Sequence, residues 1–381
     1  MLDRNNFFPN SKNFNINLKK TKEAVKSLKF EIENFQIPLL DSYEKNYEFS
    51  FSDLTIKKFS KYNNIVVIGM GGSILGTKAI YSFFRYKIKK KIFFFDDLDS
   101  NLYLKYKKIQ NIKNSCFIVI SKSGNTLETI TNLNLISSKL LLKNKLIIIS
   151  EIKSSILMNV ASRYNAEVIE HKDFMGGRYS VLSEVGMFPA SLMNLNITKF
   201  KNLKKLINNK LFLSSLIKSV STIYTLNKKG FKNSVILSYS SRLDDLCLWK
   251  QQLVGESLGK KGKGITPIFS KCPKDHHSLM QLYLDGPKDK IFTFFSSVEN
   301  KNNKINSILN SQCKATMKVF RKKNIPYRHF LFKKTDESEL GLTFTFFVLE
   351  TILLARLMNI NPFDQPAVEE IKIETKKILL S

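Results

Sequence analysis

Between residues 65 and 169 the chain repeats one pattern: a short apolar run, a polar or glycine-rich break, then a longer stretch with apolar positions at helical spacing. The runs at 65–68, 92–95, 117–120, 146–149 and 168–169 predict strands buried on both faces, as in a parallel sheet covered by helices. Residues 198–229 read as helix and connector, and the pattern restarts at 235–239, 291–295 and 329–332. The expected fold class is α/β: two three-layer α/β/α domains with parallel-rich sheets, plus a helical C-terminal segment. The expected boundaries are an N-terminal arm at 1–55, a first domain at 56–197, a connector at 198–229, a second domain at 230–358 and the C-terminal segment at 359–381, which begins around a break at Asn361 and Pro362. The halves share the order strand, turn, helix without a residue-level repeat, so duplication is a topological expectation only.

The most apolar stretch, 342–355, is too short to span a bilayer and holds Glu350, with Arg356 next to it, so it reads as a buried core helix. Residues 1–20 carry Asp3 and several asparagines without an apolar run, so no secretory signal is expected. The four cysteines form no C-x-x-C pair, which argues against a disulfide framework and a cysteine-built zinc site and fits a reducing cytoplasm. His276 and His277 stand close to Cys272, but adjacent histidines cannot turn to one ion from one helical face, so no metal is expected. His171 and His329 read as structural.

Charge is the one extreme quantity: 61 Lys and Arg against 32 Asp and Glu leave a net charge of +29. Lysines run from Lys12 to Lys377, and even the densest run, 87–91, has no nucleic-acid motif around it. Compositional enrichment explains this better than a dedicated partner, so neither a specific nucleic acid nor a membrane is expected, while an anionic substrate would gain from the field. Nucleic-acid binding stays open as an alternative and would show itself by steep weakening with salt.

Two loops carry candidate chemistry. GMGGSILG at 69–76 directly follows a buried strand and opens a helix, so its backbone amides can approach an anion. Ile74 stands where a dinucleotide fingerprint needs its third glycine, and Thr77 and Lys78 reverse the Walker order, so neither nucleotide motif is present. Alone, the loop is equally a tight strand-to-helix turn. SKSGNTLET at 121–129 repeats the setting and gathers Ser121, Ser123 and Thr126 at a helix N-terminus. A cap accounts for one hydroxyl; three hydroxyls with a glycine suit a phosphomonoester.

Four further strings follow in order: MGGRYSVLS at 175–183, GESLGK at 255–260, HSLMQL at 277–282 and NPFDQPAVE at 361–369. With them the chain resembles the glucose-6-phosphate isomerases, or phosphoglucose isomerases, which are built from two sugar-isomerase (SIS) domains. The resemblance covers about 65–372. It implies Glu256 as the catalytic base, His277 as the ring-opening group, Arg178 as stabiliser of the enediolate, and Lys372 and Gln365 as further site residues. It implies that Gly72, Ser73, Ser121, Lys122, Ser123 and Thr126 hold the sugar and its phosphate, with Gly177 beside Arg178. It further implies no cofactor, a glycolytic and gluconeogenic role, and a homodimer with shared active sites in which His277 reaches the neighbouring subunit. Leu258, Pro366 and Ala367 depart from the family pattern without removing a reacting group, and the chain lacks the terminal extensions of larger members.

The chemistry asks for the same residue types. Moving a hydrogen between C2 and C1 of a phosphorylated aldose needs a carboxylate that reaches both carbons and a fixed cation against the enediolate. Opening the sugar ring suits an imidazole that titrates near neutrality. Two alternatives stand beside this reading: a bifunctional phosphoglucose and phosphomannose isomerase, and a non-catalytic SIS-domain sensor of sugar phosphate. The joint presence of Glu256, Arg178, His277 and Lys372 speaks against the sensor.

Overall fold

The computed structural model describes residues 11–99, 101, 104, 112–137, 142–298 and 303–380, so the first ten residues of the expected N-terminal arm lie outside it. Helices α1 (Lys12–Glu33) and α2 (Asp53–Ser60) precede a first sheet formed by β1 (Asn64–Gly69), β2 (Lys91–Phe95), β3 (Ser115–Ile120), β4 (Leu146–Ser150) and β5 (Glu167–Glu170). Helices α3 (Leu75–Phe84), α4 (Leu127–Ser137) and α5 (Ile156–Tyr164) lie between its strands. Helices α6 (Glu184–Leu192), α7 (Leu203–Ile207) and α8 (Lys210–Lys228) lead to a second sheet of β6 (Asn233–Ser238), β7 (Thr266–Lys271), β8 (Lys290–Ser297) and β9 (Tyr327–Phe332). Its helices are α9 (Asp244–Leu258), α10 (Met280–Asp285) and α11 (Lys304–Lys322), and the chain ends in α12 (Glu337–Met358) and α13 (Pro366–Leu380).

Every strand pair is parallel, and the orders are β2-β1-β3-β4-β5 and β7-β6-β8-β9. The first four strands of one sheet thus repeat the order of the other, which gives the expected duplication a topological form. Alternating strand residues feed opposite faces. Val66, Ile68, Phe117 and Val119 pack with Leu133 of α4 and Leu157 of α5, while Ile65, Val67, Ile118 and Ile120 pack with Phe59 of α2 and Phe188 of α6. The second sheet is covered in the same way, with Val235, Leu237 and Phe294 against Phe320 of α11. Ile236, Phe295 and Phe330 meet α9 and α12 on its other face.

Two elements differ from expectation. Strand β7 carries only Ile268 and Phe269 as a short apolar pair in a half-exposed edge strand, with Pro267 at a position where a missing N–H is tolerated. The N-terminal arm is mainly helix: α1 lays Val25, Leu28 and Ile32 on a core shared with α8 and α12. Its stripe begins with polar residues that are paired when buried, Asn17 donating to Thr225 at 2.9 Å and Thr21 accepting from Ser221 at 2.9 Å.

Helix α12 is long and apolar enough to cross a membrane by length and composition, but 83% of its most apolar window is buried inside the protein. Within it Glu350 takes the guanidinium of Arg328, with Nη2 at 3.0 Å, and the Ser219 hydroxyl at 2.7 Å. Removing one member would strand the other charge in the core at about 3–5 kcal/mol.

Candidate active site

Strand β1 turns to β2 through α3, and β3 turns the opposite way to β4 through α4, so a switch point opens between β1 and β3. Gly69 is in register with Ile120, which sets both candidate loops side by side at the carboxyl ends of these strands. Gly71 has φ +52, and a Cβ there would lie 2.8 Å from Nε2 of Gln252. At Gly72 a Cβ would fall 2.2 Å from the carbonyl carbon of Gly177 and 2.6 Å from the amide nitrogen of Arg178. The first loop therefore fixes the backbone that carries Arg178. Ser73 closes the 3-10 turn Gly71–Ser73, its N–H donating to the Met70 carbonyl at 3.1 Å.

In the second loop the hydroxyls of Ser121 and Thr126 are 2.8 Å apart, and the exposed Ser123 accepts from the Asn125 amide at 3.2 Å. Gly124, at φ +68, brings the loop against Ser155, whose Oγ a Cβ would meet at 2.3 Å. Helix α4 starts at Leu127, presenting the unpaired amides of its first turn beside these hydroxyls. Lys122 is turned elsewhere: its ammonium donates to the Asp173 carbonyl at 2.5 Å and lies 3.7 Å from Glu151.

Arg178 sits in the 3-10 turn Gly177–Leu182 with its side chain 1% exposed. Five hydrogen bonds match its five N–H groups: Nε to Ser257 at 2.8 Å, Nη1 to Glu256 at 3.2 Å and Gln365 at 2.5 Å, and Nη2 to the Pro362 and Asp364 carbonyls at 2.5 and 2.9 Å. A cation so held is aimed and cannot drift. Glu256 and Gln252 are one turn apart on α9, and Gln252 Nε2 donates to Glu256 Oε1 at 2.8 Å, leaving its own Oε1 buried without a hydrogen bond. The segment after α12 is tied down by Lys260, which donates to the Asn361 and Asp364 carbonyls and, at 2.7 Å, to the Asp364 carboxylate. That hydrogen bond holds the Asp364 carboxyl below its ordinary range.

The structure thus joins Arg178, Glu256, Gln365, Gly72 and Gly177, and sets Ser121 and Thr126 on the adjacent strand end. It does not join His277 or Lys372 to them. His277 is exposed on the 3-10 turn Lys274–His277 beyond the edge strand β7. Lys372 is exposed on α13, where it pairs with Glu369 at 2.6 Å. Gln252, Ser257 and Tyr179 belong to the cluster and are not singled out by the sequence. Tyr179 bonds Ser257 at 2.8 Å and the Pro362 carbonyl at 3.0 Å. Tyr179 and Ser257 lie inside the strings at 175–183 and 255–260, and Gln252 has as its signal only its place four residues before Glu256 on a helix. Among the described residues no three His, Cys, Asp or Glu converge as metal ligands.

The hydroxyls of Ser121 and Thr126 at the switch point and the carboxylate of Glu256 on the buried guanidinium of Arg178 are the groups that an aldose–ketose isomerase of the two-sheet α/β kind needs. Residues 48–269 match the phosphoglucose isomerase family. The glucose-6-phosphate isomerase of Methanocaldococcus jannaschii is 35% identical over 344 residues, 83% of this chain and 84% of the relative. A hypothetical protein of Thermus thermophilus superposes with TM-score 0.81 at 22% identity over 97% of both chains. The Chlamydia trachomatis glucose-6-phosphate isomerase superposes with TM-score 0.73 at 20% identity, over 86% of this chain and 71% of that one. The chain belongs to the phosphoglucose isomerase family, and its two α/β/α units are of the SIS type expected from the sequence.

Proposed function

We propose that the chain interconverts glucose 6-phosphate and fructose 6-phosphate through a cis-enediol intermediate, without a cofactor, in glycolysis and gluconeogenesis. The observation that carries this reading is the pairing of Glu256 with Arg178, a reachable carboxylate on an immobile cation. In the open-chain sugar Glu256 takes the proton from C2 and returns it to C1, while the hydroxyl proton passes from O2 to O1, so the reaction balances within one molecule. Arg178 meets the negative charge of the enediolate, and because its donors are already placed no reorganisation is needed at that step. Ser121, Ser123 and Thr126, with the N-terminus of α4, hold the phosphate; Gly72, Ser73 and Gly177 shape the cradle, and Gln365 steadies Arg178. Lys122 reaches the phosphate only by leaving Asp173.

His277 and Lys372 supply ring opening. Their exposed positions away from Glu256 support a homodimer in which His277 completes the partner's site, and a movement of α13 that brings Lys372 in. The domain limits 56–197 and 230–358 and a cytoplasmic location belong to the same proposal. The test is a coupled assay that oxidises glucose 6-phosphate as it forms from fructose 6-phosphate, repeated from mannose 6-phosphate. Turnover of fructose 6-phosphate supports the reading, and no turnover of either sugar overturns it.

A further inference from the structure

The turn that carries His277 is held on both sides of that residue. Asp275 accepts from the Ser270 hydroxyl at 2.7 Å, the Lys271 amide at 2.8 Å and the Ser278 hydroxyl at 3.1 Å, closing the turn onto the end of β7. His276 Nε2 lies 2.6 Å from the hydroxyl of Tyr239, the residue that follows β6. The His277 side chain makes no hydrogen bond or ion pair among the described residues, and the residue is exposed.

The hydrogens of this cluster run in one direction. Thr316 of α11 donates to the Gln312 carbonyl at 2.8 Å, and Tyr239 donates to Thr316 at 2.9 Å. With the Tyr239 proton spent on Thr316, the bond to His276 has to be donated by Nε2–H. Burial first, then the neighbouring His277, pushes His276 below its ordinary pKa, which favours the neutral ring. Tyr239 is buried and its ring stacks on Phe294 of β8 with centroids 5.9 Å apart, so the anchor is part of the second sheet's core.

We propose that Tyr239 and His276 are positioning residues for the isomerisation: their hydrogen bond fixes the turn after β7 so that His277 is held out, unpartnered in its own chain, at the angle ring opening requires. This rests on the role given to His277 above. The Tyr239 hydroxyl touches no reacting atom and acts only through the turn.

The test uses full-length Tyr239→Phe, His276→Leu and His276→Gln, each also combined with His277→Ala. Tyr239→Phe and His276→Leu should lower kcat about ten- to a hundredfold, with KM within twofold and an unchanged circular dichroism spectrum. His276→Gln, whose amide keeps an N–H for Tyr239, should restore most of kcat. In the His277→Ala background Tyr239→Phe should change the residual rate no further. Wild-type kcat in Tyr239→Phe, or an equal loss with and without His277, would overturn the proposal. Full activity of His277→Ala alone would overturn the role of His277 and this proposal with it, and that result is distinguished by being seen with Tyr239 intact.

Discussion

Arg178 Nη1 lies 3.2 Å from Glu256 Oε2, joining a side chain that is 1% exposed to one that is 28% exposed. The cation is anchored and the carboxylate reachable, which suits a base that visits two carbons beside a charge that stays still. Arg178→Lys keeps the charge but replaces a planar fork by a point charge with three donors, so it cannot serve Ser257, Glu256, Gln365 and two carbonyls together. We expect kcat/KM to fall at least about a hundredfold. The melting temperature should drop as well, since hydrogen bonds made by a charged group contribute about 1.5–3 kcal/mol each and the lysine cannot replace those to Ser257, Gln365 and the two carbonyls. Steady-state kinetics and a melting curve on the same preparation check both.

Glu256→Gln separates proton transfer from binding. The amide oxygen still accepts from Arg178, and Gln252 can turn its unpartnered Oε1 toward the new amide N–H. Turnover should fall about 10²- to 10⁴-fold, while affinity for a phosphorylated hexitol, which has no carbonyl to enolise, should stay within a few-fold in a calorimetric titration. Near-normal turnover would show that another group is the base.

The contact of Gly72 with Gly177 is one-sided. A Cβ on Gly72 meets the Gly177 carbonyl carbon at 2.2 Å, whereas a Cβ on Gly177 finds Gly72 no nearer than 3.6 Å, an ordinary contact. Gly72→Ala has to push the 177–178 backbone aside and with it Arg178, so activity should drop about a hundredfold and stability should fall. Gly177→Ala should fold with wild-type stability. Equal melting temperatures for the two variants would contradict this geometry.

The central strands were legible because β1, β3 and β4 are buried on both faces and therefore apolar throughout, while edge strand β7 is half exposed and tolerates Pro267. The stripe of α1 was hidden by Asn17 and Thr21, polar residues whose partners come from far along the chain. In the site, glycines and hydroxyls after strands announce an anion loop locally, and Arg178 and Glu256 stand in strings long enough to match a family. Gln252, Ser257 and Tyr179 act through contacts that exist only after folding. The Tyr239–His276 bond joins residues 37 positions apart, and no sequence spacing signals it.

Lys201 gives the pH dependence a sign. Its ammonium lies 3.7 Å from the ring centre of Phe49 and 4.4 Å from that of Tyr47, with no hydrogen-bond partner among the described residues. Burial pushes it from 10.5 to about 7, against the pull of Glu184. The unfolded chain holds this proton up to pH 10.5 and the folded one releases it near 7, so the penalty is full below pH 7 and lifts as pH rises through that window. Stability should therefore increase from pH 7 to 9, at up to about 1.4 kcal/mol per pH unit per proton. Lys201→Met should flatten the slope. Lys250, pushed down to about 8 by burial, contributes with the same sign and leaves a residue of slope. Urea midpoints at pH 7, 8 and 9 measure this, and parallel curves for variant and wild type would exclude Lys201 as the cause.

The exposed His277 and the clamped Glu256 make the shared site testable by mixing. In a two-fold dimer each site would take Glu256 from one subunit and His277 from the other. Homodimers of Glu256→Gln and of His277→Ala then carry one lesion in every site, and both are impaired. A mixed dimer collects both lesions in one site and leaves the other wholly wild type. Co-refolding equal amounts should place half of the chains in mixed dimers, so about a quarter of wild-type activity should return by random pairing. If His277 instead serves its own chain, every site in the mixture keeps one lesion and no activity returns. Such a result would refute the shared site while leaving the isomerase reaction, tested separately with fructose 6-phosphate, untouched.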